Sequence, residues 1–214
     1  MEKAPKIQCV NVTKAYREHT VLNQVDLECE SGEIAGIIGR NGAGKTVLFK
    51  AICGLTAIDG GKILIDGEER RNGEVLQSVG IIIEEPAFLA HASGYKNLEY
   101  LYMIRNRVNR EHLWQALSQV GLDPESQKPV EKYSLGMRQR LAIAQAIMEN
   151  PDILILDEPF NGLDDHGVAD MRELFLELKR LGKTILVASH NPEDIRLLCD
   201  RVYQMNAGVL EQAR

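Results

Sequence analysis

The sequence predicts an α/β fold: a mostly parallel sheet core, an antiparallel β portion at the N-terminal end and a helical insert in the middle. Three observations predict it. Apolar runs of strand length at residues 34–38, 153–156 and 184–188 are each followed by a helix-forming stretch. The first run opens directly onto a glycine-rich segment, G-R-N-G-A-G-K-T, at residues 39–46. From about residue 86 to residue 149 the apolar spacing changes from the period of a strand to that of a helix.

Taken in order, residues 7–12 and 21–29 read as strands, the second with Val21, Val25, Leu27 and Cys29 spaced largely by two. The buried strand 34–38 comes next. Residues 63–65 form a short strand ending at Asp66-Gly67, and residues 79–83 form another. In the insert, Leu98, Leu101, Tyr102 and Ile104 share one helical stripe, and Leu113, Leu117 and Val120 share a second that ends at Gly121. A helix over about 135–148, the strand 153–156, a helix carrying Val168, Met171, Leu174, Phe175 and Leu178, the strand 184–188 and a helix over 193–198 complete the alternation. Parallel sheets bind ligands at the carboxyl ends of their strands. The glycine segment, Asp157 and His190 all fall at such ends.

Composition sets outer limits. A chain of 214 residues, 44% hydrophobic, can bury one large core with a small attached subdomain. A formal charge of -6 provides no general basic surface, which argues against nucleic acid or an anionic lipid surface as the main partner. Cys9, Cys29, Cys53 and Cys199 are widely spaced with no C-x-x-C pair, as expected of reduced, mostly buried thiols in a cytosolic protein. The N-terminal M-E-K-A-P-K has no apolar signal core, and no run approaches the length of a spanning helix.

The chemistry concentrates in a few segments. Gly39, Arg40, Asn41, Gly42, Ala43, Gly44, Lys45 and Thr46, followed by Val47 in the next helix, form a phosphate loop. Its glycines let backbone N–H groups converge on an anion, and the helix that follows adds its positive end. Lys45 supplies charge to the outer phosphates, and the Thr46 hydroxyl is a hard oxygen ligand suited to magnesium. This placement predicts a nucleotide-binding protein.

The strand 153–156 ends in Asp157-Glu158-Pro159. Asp157 can reach magnesium through water, and Glu158 can orient or deprotonate a water attacking the γ-phosphate. Ser134 is placed as an N-cap before Leu135, Gly136 and Met137. A helix start with a hydroxyl and a glycine is also a second anion site, which suggests two chains sharing ligands.

The order of these motifs resembles that of the ATPase subunits of ABC transporters, over nearly the whole chain. Gly39 through Thr46 matches the phosphate loop, Tyr133 through Met137 the signature motif, and residues 153–158 the magnesium strand. Asn161-Gly162-Leu163-Asp164 matches the dimer-contacting loop, and Ser189-His190 the switch histidine. The resemblance implies a single ABC ATPase domain over 1–214, a P-loop NTPase fold in which 1–84 and 150–214 form the ATP-binding lobe and about 85–149 the helical subdomain. It implies ATP and Mg2+ as ligands, catalysis by Glu158, His190 and Lys45, and adenine stacked on Tyr16, a residue that by itself reads more readily as packing. Ser134 and Gly136 then serve a second copy's ATP in a head-to-tail homodimer, or in a pair with another ATPase subunit.

The partner so implied is an integral membrane permease, which places the chain at the cytoplasmic face of the cell membrane and leaves nucleic acid without a role. A soluble ABC-type ATPase acting as a mechanical switch is the alternative. Glu84 stands where the family usually has glutamine, and a carboxylate there can either strengthen magnesium binding or repel phosphate. Tyr-Ser-Leu-Gly-Met and Ile-Glu-Glu-Pro-Ala-Phe are similar to the subgroup that drives bacterial exporters of bacitracin and lantibiotic-type peptides. Subunits of that subgroup commonly continue beyond the position of Arg214.

Overall fold

The computed structural model describes residues 5–85 and 87–213, so Met1 to Ala4, Pro86 of the Glu-Glu-Pro stretch and Arg214 lie outside the described residues. Two sheets organise the chain. The first is antiparallel: β1 (Ile7–Tyr16), β2 (His19–Cys29), β4 (Gly60–Ile65) and β5 (Glu68–Glu69), in the order β2-β1-β4-β5. The second contains β3 (Ile34–Ile38), β6 (Val79–Ile82), β7 (Ile153–Asp157), β8 (Thr184–Ser189), β9 (Arg201–Asn206) and β10 (Val209–Gln212), in the order β10-β9-β3-β8-β7-β6. Its strands run parallel except β10, which pairs antiparallel with β9.

Alternation along β3 shows why this sheet needs cover on both sides. Ile34 belongs to one apolar core, while Ala35 and Ile37 belong to the other. The first core contains α5 (Asp165–Arg180) and α6 (Pro192–Leu198), through Met171, Phe175 and Ile195. The second contains α1 (Lys45–Ile52), through Leu48 and Phe49, together with the inner face of the antiparallel sheet. The helices α2 (Gly94–Tyr102), α3 (Arg110–Gln119) and α4 (Leu135–Ile147) pack on one another, and α4 also lies against β6. That contact joins the insert to the sheet.

The strands and helices read from sequence are present, with two differences. The hairpin β9–β10 was not expected, although Val202, Tyr203 and Met205 of β9 are buried around its Ala207-Gly208 turn. Helix α2 stops at Tyr102 rather than reaching Ile104, and Ile104 stands 75% exposed, so the apolar stripe expected there does not face a core. His112 of α3 is half-buried, away from the candidate site: its ring tilts against Tyr102 and meets the Met148 carbonyl. All four cysteines are buried, and desolvation pushes the Cys9 and Cys53 thiols up to about 12. Such thiols are poor nucleophiles and poor metal ligands.

Candidate functional site

The phosphate loop bridges β3 and α1 at the carboxyl edge of the parallel sheet. Gly44 caps α1 with φ 115°, and a Cβ there would sit 2.8 Å from the Val21 carbonyl oxygen, so only glycine closes the turn against β2. Lys45 is buried within the loop, where Nζ donates to the Gly39 carbonyl at 2.6 Å and the Arg40 carbonyl at 3.4 Å. A cavity of about 330 Å³ opens over it, lined by Val21, Arg40, Asn41, Gly42, Gly44, Lys45, Thr46, Val47, Asp157 and Glu158. Val21 was not singled out from the sequence, because a strand valine carries no chemical signal of its own.

Strand β7 is separated from β3 by β8, and its end brings both acids to the loop. The Thr46 hydroxyl donates to Asp157 Oδ2. The other oxygen, Oδ1, is buried with no protein partner. Burial raises the Asp157 pKa; the Thr46 hydrogen bond opposes the rise and the Glu158 charge adds to it.

Glu158 has φ 52°, a left-handed conformation that glutamate adopts only under constraint. Its Oε1 lies 3.3 Å from Lys45 Nζ, and Oε2 lies 2.8 Å from His190 Nδ1 and accepts the His190 backbone N–H at 3.3 Å. Lysine, glutamate and histidine thus form one chain of contacts across the ends of α1, β7 and β8.

The remaining predicted residues lie around this centre. Ser134 caps α4 by accepting the Met137 N–H at 3.1 Å, as its sequence position implies. Gly136 passes so close to the loop of residues 161–164 that a Cβ would sit 2.9 Å from the Gly162 carbonyl oxygen. Ser134 and Gly136 line a cavity with Gly162, Leu163 and Asp164, and no phosphate-loop residue borders it. Asp164 caps α5, accepting the Gly167 N–H at 2.8 Å. Tyr16 is 49% exposed and its hydroxyl lies 3.3 Å from Thr56 Oγ1.

Glu84 borders a cavity with Thr46, Asp157 and Glu158, yet its carboxylate is paired with Lys50 Nζ at 2.6 Å. Two contacts escaped the sequence reading. Lys50 and Gln139 are ordinary polar residues of α1 and α4 with no motif signal of their own. Gln139 Nε2 donates to the Pro159 carbonyl at 2.9 Å and the Glu158 carbonyl at 3.4 Å, holding the turn that carries Glu158.

A loop that wraps a buried lysine between a parallel strand and a helix, facing two acids from another strand end, is the arrangement of a P-loop nucleotide-binding protein. The family model described as ABC transporter matches residues 22–161. Over 207 residues the chain is 42% identical to the bacitracin transport ATP-binding protein BcrA of Enterococcus faecalis, covering 95% of this chain and 67% of BcrA. It is 37% identical over 195 residues to the lantibiotic transport ATP-binding protein SrtF of Streptococcus pyogenes, covering 91% of this chain and 83% of SrtF. In fold it matches the dimeric structure of MJ0796, a bacterial ABC transporter cassette, with a TM-score of 0.86 at 24% identity over 97% of this chain and 99% of that one. The chain belongs to the ABC transporter family and is an ATP-binding, ATP-hydrolysing subunit of an ATP-powered transporter.

Proposed function

We propose that the ATP bound at the phosphate loop is hydrolysed by a water that Glu158 polarises, within a head-to-tail dimer in which each nucleotide is shared by two chains. The observation that carries this reading is the contact chain Lys45–Glu158–His190 over the loop. Lys45 and the N-terminal end of α1 offset phosphate charge as it shifts toward the leaving oxygen. His190, tied to Glu158 through Nδ1, keeps Nε2 for the terminal phosphate. The separate cavity at Ser134 and Gly136, bordered by Asp164, supports their acting on the second copy's nucleotide.

Tyr16, half exposed beside Thr56, is read as the adenine platform. Tyr16→Ala then weakens ATP by a larger factor than inorganic triphosphate in a calorimetric titration, and equal losses remove the stacking role.

The donors at Thr46 and Asp157 suit Mg2+, which prefers one or two protein oxygens together with water and phosphate to an all-protein cage. Among the described residues no group of three or more His, Cys, Asp and Glu side chains is placed to hold a metal alone. When bound, the ion neutralises charge on the outer phosphates. Glu84, engaged by Lys50, would have to leave that pair to serve as a further ligand.

A measurable cost follows from Asp157. Its folded pKa is raised, so the folded chain binds that proton more tightly; the favourable contribution holds below the unfolded carboxylate value and disappears as pH climbs through the folded one. At neutral pH the ionised group opposes folding. Asp157→Asn is expected to raise the nucleotide-free melting temperature by a few degrees, since about 1 kcal/mol corresponds to roughly 2–4 °C in a chain of this size. The same substitution should abolish the extra stabilisation that Mg2+ adds to ATP. Thermal scans at pH 7 with and without EDTA test both halves, and a lower melting temperature for the nucleotide-free variant contradicts the first.

The organisation proposed for the chain is an ATP-binding lobe formed by 1–84 and 150–214 and a helical subdomain at about 85–149. The end of α2 and the turn after it leave Tyr100, Met103 and Ile104 exposed, which supports this part of the molecule as the face that meets an integral membrane permease. No helix among the described residues is long and apolar enough to cross a membrane itself. The likeness to BcrA and SrtF supports export of a peptide antibiotic as the work done, at the cytoplasmic face of the membrane. The test of the shared site is dilution: turnover per chain should fall as the protein passes from dimer to monomer, and full turnover by single chains ends the proposal.

A further inference from the structure

His190 is 55% exposed at its side chain, and Glu158 holds only one edge of its ring. The backbone that presents it is a short turn between β8 and α6. Within that turn the Asn191 N–H is accepted by Ser189 Oγ at 3.0 Å, and the Glu193 N–H by Asn191 Oδ1 at 3.0 Å. These bonds shape the turn from within; outside it, Glu158 Oε2 accepts the His190 N–H at 3.3 Å. Helix α6 is seven residues long and packs on β3 and β8. A helix that short takes its position from tertiary contacts, not from its own propensity.

One such contact is unusual. Asp194, in the first turn of α6, is 6% exposed, and its carboxylate is paired with the guanidinium of Arg172 on α5. A carboxylate removed from water in this way is tolerated only when a cation and hydrogen bonds replace its hydration. The pair lines a cavity of about 480 Å³ together with Phe160, Asn161, His190 and Asn191. It therefore ties the first turn of α6 to the long helix α5, four residues beyond the histidine.

We propose that Arg172 and Asp194 are positioning residues for His190: their buried ion pair fixes the first turn of α6 against α5 and thereby sets where the imidazole meets Glu158 and the nucleotide. The inference rests on the reading that His190 acts on bound ATP. Neither residue touches the reacting atoms. The contact is a single one, from Arg172 Nη2 to Asp194 Oδ1, with Arg172 Nε buried without a hydrogen-bond partner; the rigid guanidinium plane still sets its direction where a flexible ammonium fixes little but charge. Without Arg172 the Asp194 carboxylate must find water, and the first turn of α6 has to move to let it do so.

The test is a double-mutant cycle on the full chain, measuring ATP turnover and KM at concentrations that favour the dimer, with single-turnover hydrolysis of labelled ATP for the slow variants. Arg172→Met should lower kcat by roughly 10- to 100-fold, the loss that accompanies a misplaced catalytic group. KM should stay within about 2-fold of the parent if ground-state binding is untouched. Arg172→Lys should recover only part of the loss. On a His190→Ala background, Arg172→Met should cost nothing further. The same proportional loss on both backgrounds, or an unchanged kcat in Arg172→Met, overturns the proposal. Should Arg172→Met fail to fold, Asp194→Asn removes the buried charge at constant shape and enters the same cycle with the same expected outcomes. His190→Ala with parental turnover would instead withdraw the reading of His190 itself, and the inference with it.

Discussion

Glu158→Gln is expected to bind ATP as the parent chain does but to turn it over about 10²- to 10⁴-fold more slowly, the range that a positioned general base contributes. The amide keeps the length and shape of the side chain and still accepts the His190 N–H, so the geometry around β7 survives. It cannot take a proton from water. It also removes the negative partner of Lys45, 3.3 Å away, which leaves the ammonium more strongly committed to phosphate. Binding is therefore preserved or improved while the chemical step stops. With ATP present, the variant should elute from a sizing column as a dimer and remain one, because the step that reopens the closed state is missing. Parental steady-state hydrolysis in this variant would remove Glu158 from the assigned role, and a monomer under these conditions would separate closure from nucleotide retention.

Lys45→Met carries the second large effect. A hydrogen bond to a charged group contributes about 1.5–3 kcal/mol, so the loss of the loop cation is expected to weaken ATP by up to roughly 10²-fold. Methionine fills much of the same apolar path, but it leaves the Gly39 carbonyl without its 2.6 Å donor and Glu158 without its cation. The Gly39 and Arg40 carbonyls then lose their common donor, and the buried Glu158 Oε1 loses the cation beside it. Equilibrium titration with a fluorescent ATP analogue measures the loss. An affinity within 2-fold of the parent would mean that the backbone N–H groups hold the phosphates without help from the side chain.

The phosphate loop and the Asp157-Glu158 pair were legible because strand, loop and helix appear in the sequence in the order in which they act, and because each residue type suits one chemical task. Ser134 was legible for a local reason, since an N-cap is decided by the few residues after it. The contacts that hold the centre together were not legible. Lys50 meets Glu84, and Gln139 meets Glu158 and Pro159, across loops and strands whose relative placement no periodicity encodes. The hairpin of β9 and β10 escaped for a different reason. Its outer strand is polar and short, at the edge of the sheet, and Val209 is 40% exposed, so little alternation survives to be read. Ile104 misled in the opposite sense: its helical spacing was genuine, but the helix ended first, and apolar spacing alone does not distinguish a core face from an exposed one.

The backbone at Glu158, with φ 52°, forgoes about 1–2 kcal/mol that a glycine would recover. Durability and work are thus in direct opposition at a single peptide unit. Selection or engineering for heat resistance alone would drift toward glycine at this spot and yield sturdy, idle cassettes. A thermostable library built on this scaffold should hold position 158 constant and seek its gains elsewhere.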